Sequence, residues 1–216
     1  MSKTNHSLNS AIELRRMQMP RNHAHLNAKT YSVAEHSYFL AQYIRMFWKD
    51  LELLQVKFLP KINHIEVGEL VLLALDHDMP EIATGDIPHP FKVELKNALE
   101  CEGECFDDLE QSFFKEFCNK NGAQDIWQMW ATGNHAQFRH PILKIMDLYE
   151  YLVFNIQEML LGKQVDIEHL LGIEGYMAQI FQEENFSIQK LPQSHFLRQA
   201  LDYIHSLKRR QHERGK

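Results

Sequence analysis

The sequence predicts an all-α protein, and three observations support this fold class. Glycine and proline are sparse, with nine and seven copies among 216 residues. Alternation of apolar and polar residues, the pattern of half-buried strands, is hard to find. Apolar residues instead recur at three- and four-residue steps along most of the chain, as on one face of a helix. We therefore expect a single all-α domain of about seven to nine helices.

The first predicted helix begins at Ser32. Ser32 and Glu35 form the pattern Ser-x-x-Glu, in which each side chain accepts a hydrogen bond from the other residue's backbone amide. The helix is expected to run to about Leu54, with these apolar positions at helical spacing: Val33, Leu40, Tyr43, Ile44 and Phe47. His36 lies one turn before Leu40, on the same inward side.

A second helix is predicted from about Ile65 to Asp76. It stops near His77 and Asp78, because Pro80 disfavours helical geometry at the preceding residue and suits the first turn of a new helix. The following segment GDIPHP, residues 85–90, predicts an ordered, turn-rich loop.

The second half of the chain is also predicted to be helical. Helices are expected over about 93–120, between Gly122 and Gly133, from Pro141 onward, over about 167–183 and over about 193–210. Asp147 falls within the strongly apolar helix that begins at Pro141. Burial of its carboxylate is costly unless a cation or hydrogen-bond donors compensate the charge. A buried Arg–Asp pair is the main alternative to a metal ion at this position.

Charge and composition restrict the class of function. The net charge is −6, which argues against a general affinity for nucleic-acid polymers or anionic membranes. No apolar run reaches the length of a membrane span. Three cysteines cannot all pair within one chain, and the N-terminus does not resemble a signal peptide, so we expect a cytoplasmic protein.

Four residues far apart in sequence form a plausible set of metal ligands: His36, His77, Asp78 and Asp147. Imidazole and carboxylate together suit first-row metals such as Mn, Fe, Co or Zn. A metal ion lowers the pKa of a bound water and polarises a phosphoryl oxygen, which is the chemistry of a phosphohydrolase. A hydrogen-bonded core histidine remains an alternative for His36, since a histidine on an apolar helix face is more often structural.

Three segments carry a resemblance to a known family. In order, SVAEHS, LALDHDMPEIATGDIPHPFK and KIMDLYEYL resemble the HD-domain superfamily of metal-dependent phosphohydrolases, and within it the bacterial 5′-deoxyribonucleotidases. These enzymes remove phosphate from deoxyribonucleoside 5′-monophosphates. The resemblance spans roughly residues 21–152. It implies one HD-type helical domain over residues 1–216, with a core at about 21–155 and C-terminal helices at 165–210 packed on it.

The resemblance implies a role for each matching residue. The family's ligands for one divalent ion (Co, Mn, Zn, Fe or Mg) match His36, His77, Asp78 and Asp147. Glu81 matches the acid that assists the attacking water or the leaving group, although a solvated first-turn glutamate is the alternative. Asp86 matches a residue that contacts the sugar, where a carboxylate accepting from the 3′-hydroxyl in a tight pocket would explain a preference for deoxyribose; a loop-capping turn is its alternative.

Two basic residues are candidates for binding the phosphate. Arg21 matches the family's phosphate-binding arginine and can donate to two oxygens at once. Lys92 is a second candidate, with a solvated lysine as its alternative. The resemblance also implies a deoxyribonucleotide substrate and a homodimer.

The chain departs from the family pattern at Asn22. The family members compared carry a tryptophan after the phosphate-binding arginine, and Asn22 cannot supply that aromatic contact. Two alternatives therefore stay open: hydrolysis of deoxynucleoside triphosphates, and a non-catalytic protein that binds metal and nucleotide. A triphosphate would call for more basic residues, and beyond Arg21 and Lys92 the candidates are Lys29 and Arg139.

Overall fold

The part of the chain that the structure, a computed structural model, describes is predominantly helical. The described residues are 32–59, 62–87, 89–101, 103, 105–133, 138, 140–162, 165, 167–180 and 188–214. No β-strand occurs among them, and the predicted all-α class is confirmed. No described helix is both long and apolar enough to cross a membrane.

The described residues form ten α-helices. They are α1 (Val33–Met46), α2 (Trp48–Leu53), α3 (Val67–Asp76), α4 (Glu81–Thr84), α5 (His89–Cys101), α6 (Phe106–Lys120), α7 (Gln124–Ala131), α8 (Pro141–Leu160), α9 (Ile167–Ile180) and α10 (Phe196–Arg214). A π-helical turn, Leu54–Phe58, follows α2, and a 3-10 turn, Ile188–Lys190, precedes α10. Because α2 and α4 have only six and four residues, the longer helices agree with the predicted seven to nine.

Two predicted helices are interrupted. The helix expected from Ser32 to Leu54 ends at Met46, and Phe47, with φ −103° and ψ 18°, separates α1 from α2. The helix expected over 93–120 is two helices, α5 and α6, and Gly103 between them has φ +77°. A left-handed φ ends an α-helix and favours glycine. The apolar spacing continues on both sides of this break, so periodicity alone predicts one helix.

The described residues fall into two compact units, of which unit 1 lies within Met1–Tyr38 and Leu73–Phe138. Its core is an apolar cluster formed by Val33, Met79, Ile82, Phe114, Cys118, Ala123, Ile126 and Trp130. Phe114 makes edge-to-face contacts with Trp127 and Trp130, at ring-centroid distances of 6.1 and 5.4 Å. Burial of each large side chain contributes roughly 1.5–3 kcal/mol. The cluster therefore fixes the start of α1 beside α4.

Unit 2 lies within Phe39–Leu72 and Arg139–Lys216. In it α8 packs against α9 and α10. Of the apolar residues predicted for the inward face of α8, Val153 is half-buried and five are buried: Ile142, Ile145, Met146, Tyr149 and Leu152. Phe196 stacks on Phe47 at 4.6 Å and meets Tyr149 edge-on at 4.8 Å. Burial, with a smaller contribution from Tyr43, raises the pKa of Tyr149 to about 12. This phenol is therefore a neutral part of the core.

Two buried histidines cap helices of unit 2. Nδ1 of His140 accepts from the Ile142 amide at 3.3 Å, and its Nε2 donates to the Asn63 carbonyl at 2.8 Å. Nδ1 of His195 accepts from the Leu197 amide at 3.3 Å. A proton on either Nδ1 would remove the cap. Burial is the largest influence on both rings, and it lowers the pKa of His140 and of His195.

Acid should destabilise the protein through these two caps. Because each folded-state pKa is lowered, the stabilisation is present in full above the unfolded value near 6.5 and is lost as the pH falls from there through the folded pKa. The free energy of unfolding should fall by up to about 1.4 kcal/mol per pH unit for each ring. Urea unfolding at pH 7.5, 6.5 and 5.5 in the presence of a chelator measures this.

The double variant His140→Asn, His195→Asn is the control. Asparagine keeps an oxygen that can cap a helix but does not titrate. Its unfolding free energy should depend less on pH over this range, and a dependence as steep as that of the wild type would contradict the assignment.

Candidate metal centre

The first turn of α1 is fixed by the predicted capping box. The backbone amide of Ser32 donates to Glu35 Oε2 at 3.0 Å, and the amide of Glu35 donates to Ser32 Oγ at 3.1 Å. The hydroxyl of Ser32 also donates to Glu35 Oε2 at 3.1 Å. The next residue, His36, donates its amide to the Ser32 carbonyl at 3.0 Å. His36 therefore lies in a first turn that the capping box stabilises.

The second part of the site is the turn of residues 77–80 between α3 and α4. The His77 amide completes α3 by donating to the Leu73 carbonyl at 2.9 Å. The chain then tightens, and the amides of Met79 and Glu81 donate to the carbonyls of Asp76 and Asp78, both at 3.1 Å. The predicted end of the helix near His77 and its restart after Pro80 are therefore confirmed.

The side chains of His36, His77 and Asp78 converge within unit 1. The two histidine Nε2 atoms lie 3.4 Å apart. Nε2 of His36 lies 3.5 Å from Asp78 Oδ2, and Nε2 of His77 lies 3.2 Å from Asp78 Oδ1. Among the described residues, these three form the one group of His, Cys, Asp or Glu side chains with geometry suited to a metal ion.

The spacing of these atoms fits a first-row divalent ion. Ligand atoms about 2.1 Å from an ion, at angles between octahedral and tetrahedral, are about 3.0–3.4 Å from one another. The two Nε2 atoms are 3.4 Å apart, and each lies 3.2 or 3.5 Å from one of the two Asp78 oxygens, so these separations lie within this range or just above it. Two imidazoles and a carboxylate are also the donor types that such ions prefer. The residues present therefore fit a metal ion.

The backbone sets the protonation of the His77 ring. Nδ1 of His77 lies 2.9 Å from the Ala74 carbonyl, which can only accept, so Nδ1 carries the hydrogen. In the neutral ring, Nε2 then presents a lone pair to His36 and Asp78, which is the form that a metal ligand requires. The side chain of His36 is 1% exposed, whereas those of His77 and Asp78 are 12% and 16% exposed. Solvent therefore reaches the group from the side of His77 and Asp78.

Glu81 and Asp86 follow in the same unit. Glu81 is the first residue of α4 and is buried, with 8% of its surface exposed, so the alternative of a solvated first-turn glutamate does not hold. Asp86 is half-buried and lies just after α4, beyond Gly85. The three residues 85–87 have no regular secondary structure, which agrees with the predicted loop, but the next helix begins at His89, within the predicted GDIPHP segment.

The other candidate residues occupy different surroundings. Lys92 pairs with Glu110 at 3.2 Å and lies over the Phe106 ring at 5.3 Å, so part of its charge is already compensated. Asp147 lies on α8 in unit 2, where Lys144 Nζ donates to its Oδ2 at 2.9 Å. The roles of both as site residues stay predictions. Arg21 lies outside the described residues, as do Asn22, Lys29 and Arg139.

Two features of the candidate residues and their sequence neighbours have only weak signals in the sequence. The Lys144–Asp147 pair has the i,i+3 spacing of an intrahelical ion pair, so the string KIMD could have predicted it. Asp76, directly before His77, is half-buried, and its burial raises the pKa of its carboxyl. No pattern in the sequence distinguishes a half-buried carboxyl from an exposed one at the end of a helix.

An all-α fold with a partly buried His–His–Asp group defines a class: helical proteins with a candidate site for a divalent metal. The family model described as YfbR-like 5′-deoxynucleotidase matches residues 11–168. The chain therefore belongs to this family, an HD-domain family of bacterial 5′-deoxynucleotidases. No curated protein matches the chain. Membership indicates a hydrolase that acts on nucleotides and requires a divalent metal.

Loss of the capping box should weaken metal binding. Ser32→Ala removes the acceptor of the Glu35 amide, which costs about 1 kcal/mol in a typical helix cap. If the first turn frays in the metal-free variant, metal binding must order this turn again. The free energy of ordering, about 1 kcal/mol, lowers the metal affinity by up to about fivefold. Calorimetric titration with Mn²⁺ or Co²⁺ measures the change. Glu35→Gln keeps the box and is the control; equal affinity of Ser32→Ala and the wild type would refute the link.

Proposed function

We propose that this protein is a metal-dependent 5′-deoxynucleotidase, which hydrolyses deoxyribonucleoside 5′-monophosphates to deoxynucleoside and phosphate. The observation that carries the proposal is the convergence of His36, His77 and Asp78, with Glu81 buried three residues further on. Membership of the YfbR-like family supports the substrate class. Neither Glu81 nor Asp86 is needed simply to hold a metal, which favours an enzyme over a binding protein.

His36, His77 and Asp78 would hold the divalent ion, with Asp147 as a fourth ligand. The proposal for Asp147 rests on the family resemblance. Its carboxylate already accepts from Lys144 Nζ in the described structure, at 2.9 Å, so its charge by itself does not call for a metal ion. When bound, the ion lowers the pKa of a water and stabilises negative charge on the phosphoryl oxygens.

Glu81 would handle the proton. Hydrolysis requires that a water lose a proton as it attacks phosphorus and that the leaving sugar oxygen gain one. Glu81 follows Asp78 by three residues, and its amide donates to the Asp78 carbonyl at 3.1 Å, so the two residues share one tight turn. Its burial keeps the carboxylate away from bulk water. We assign to it the role of general acid–base.

The substrate itself would be held by the remaining candidates. Arg21 would donate to two phosphate oxygens, and Asp86 would accept from the deoxyribose 3′-hydroxyl. Lys92 would contribute a second positive charge at the phosphate, at the cost of weakening its pair with Glu110. The homodimer and the cytoplasmic setting stay predictions.

Loss of a metal ligand should abolish the activity. Asp78→Asn and Asp147→Asn should each lower metal-dependent phosphate release from deoxynucleoside monophosphates by about a hundredfold or more, because residues that merely support a ligand already cost 10–100-fold. Phosphate release and calorimetric metal affinity, measured with Mn, Co, Mg and Zn, test both variants. Chromatography of the products from mono- and triphosphates would reveal a triphosphohydrolase instead.

Asp202→Asn is the matched control. Asp202 also accepts from a basic residue of its own helix, Arg198, at 2.9 Å. Its loss should leave metal affinity and phosphate release unchanged. If Asp147→Asn behaved like Asp202→Asn, then Asp147 would be a structural partner of Lys144, whereas an unchanged Asp78→Asn would refute the mechanism.

We also propose that both units belong to one HD-type domain over residues 1–216. Support comes from the family match, which includes parts of both units. One domain should unfold in a single transition. Urea unfolding can be followed by tryptophan fluorescence, to which Trp127 and Trp130 of unit 1 contribute, and by circular dichroism. The two unfolding curves should coincide. Two separated transitions would indicate independent domains.

A further inference from the structure

We infer that Gly85 is a positioning residue for substrate specificity, because its backbone conformation sets the direction of the chain at Asp86, directly after the helix that begins with Glu81. The inference rests on the proposed function, in which Asp86 contacts the sugar. It concerns a residue with no side chain, whose contribution is made entirely by the main chain.

The conformation of Gly85 is one that other residues avoid. Its φ is +74° and its ψ is 166°. This region of backbone space is essentially restricted to glycine, because a Cβ would collide with the residue's own peptide groups. A Cβ built at Gly85 meets no described atom within 4 Å. The requirement for glycine is therefore conformational and does not come from crowding by neighbours.

Local hydrogen bonds hold this conformation in place. The Gly85 amide donates to the Glu81 carbonyl at 2.7 Å, which closes α4 and ties Gly85 to the proposed acid–base residue. The Thr84 hydroxyl lies within bonding distance of the carbonyls of Gly85 and Pro80, at 3.1 and 3.4 Å. The segment from Pro80 to Gly85 is thus bonded at both ends, and the chain direction at Asp86 is set by the torsion angles of Gly85.

This arrangement connects the proposed acid–base residue, Glu81, with the proposed sugar-binding residue, Asp86. Ile82 is in the apolar cluster of unit 1, so α4 is anchored, and Glu81 is fixed with it. Only one residue, Gly85, lies between this anchored helix and Asp86. A forced change in φ at Gly85 would therefore turn the Asp86 carboxylate away from its position while leaving Glu81 and the metal ligands in place.

Gly85→Ala tests the inference in the metal-loaded enzyme. Relative to the wild type, kcat/KM for a deoxynucleoside monophosphate should fall by about tenfold or more, mainly through KM, because a strained backbone must be accommodated at this position. The kcat/KM for the matching ribonucleotide should fall less. The ratio of kcat/KM for the deoxyribonucleotide to that for the ribonucleotide, the deoxy-to-ribo ratio, should therefore decrease. Calorimetric affinity for the deoxynucleoside product should fall in parallel, whereas Mn²⁺ affinity should stay as in the wild type.

Gly162→Ala is the matched control. Gly162 also follows a helix, has φ +88° and leaves open space for a Cβ. This variant should lose stability but keep the wild-type deoxy-to-ribo ratio. If Gly85→Ala folds poorly, Thr84→Val is the second test, because it deletes the hydroxyl that lies against the Gly85 carbonyl. It should also decrease the deoxy-to-ribo ratio, by a smaller factor.

The possible outcomes are separable. An unchanged deoxy-to-ribo ratio in both Gly85→Ala and Thr84→Val, with normal wild-type activity, overturns the inference and leaves the proposed function intact. A wild-type protein that releases no phosphate from any deoxynucleotide overturns the proposed function, on which the inference depends.

Discussion

The candidate metal centre depends on the burial of Val33 in the same apolar cluster as Met79 and Ile82. Val33 lies three residues before His36. Met79 directly follows Asp78, and Ile82 directly follows Glu81. Burial of these side chains in one cluster brings the first turn of α1 next to the turn of residues 77–80. The polar atoms of the site do not create this arrangement, because imidazoles and a carboxylate in a cluster gain little from one another without a cation. The apolar core provides the free energy that assembles them.

Hydrogen bonds between side chains and the main chain then orient the residues that packing brings together. The capping box fixes the turn below His36, and the Ala74 carbonyl fixes the tautomer of His77. The candidate metal ligands His36 and His77 are therefore held by hydrogen bonds that involve the main chain. Such support preorganises the ligands, so less ordering is needed when a metal binds. Glu81, the proposed acid–base residue, is buried in the same anchored region.

The short segment around α4 connects several of the candidate site residues. Six residues, from Pro80 to Gly85, contain the whole of α4 and connect the candidate metal ligand Asp78 with the candidate sugar-binding residue Asp86. Proline restricts φ at the first of these residues, and glycine permits a positive φ at the last. In the proposed function, this segment acts through main-chain geometry as much as through side-chain chemistry.

Local rules decided what the sequence could predict by itself. Ser32 with Glu35, Pro80 and Pro141 act through their nearest neighbours, so the helix starts they signal were predicted correctly. The all-α class and the candidates His36, His77 and Asp78 also followed, from helical spacing and family resemblance. Tertiary structure alone decided the rest. The 3.4 Å approach of two histidines 41 residues apart and the burial of Glu81 depend on how distant apolar faces pack, and helical spacing specifies a face but not its partner.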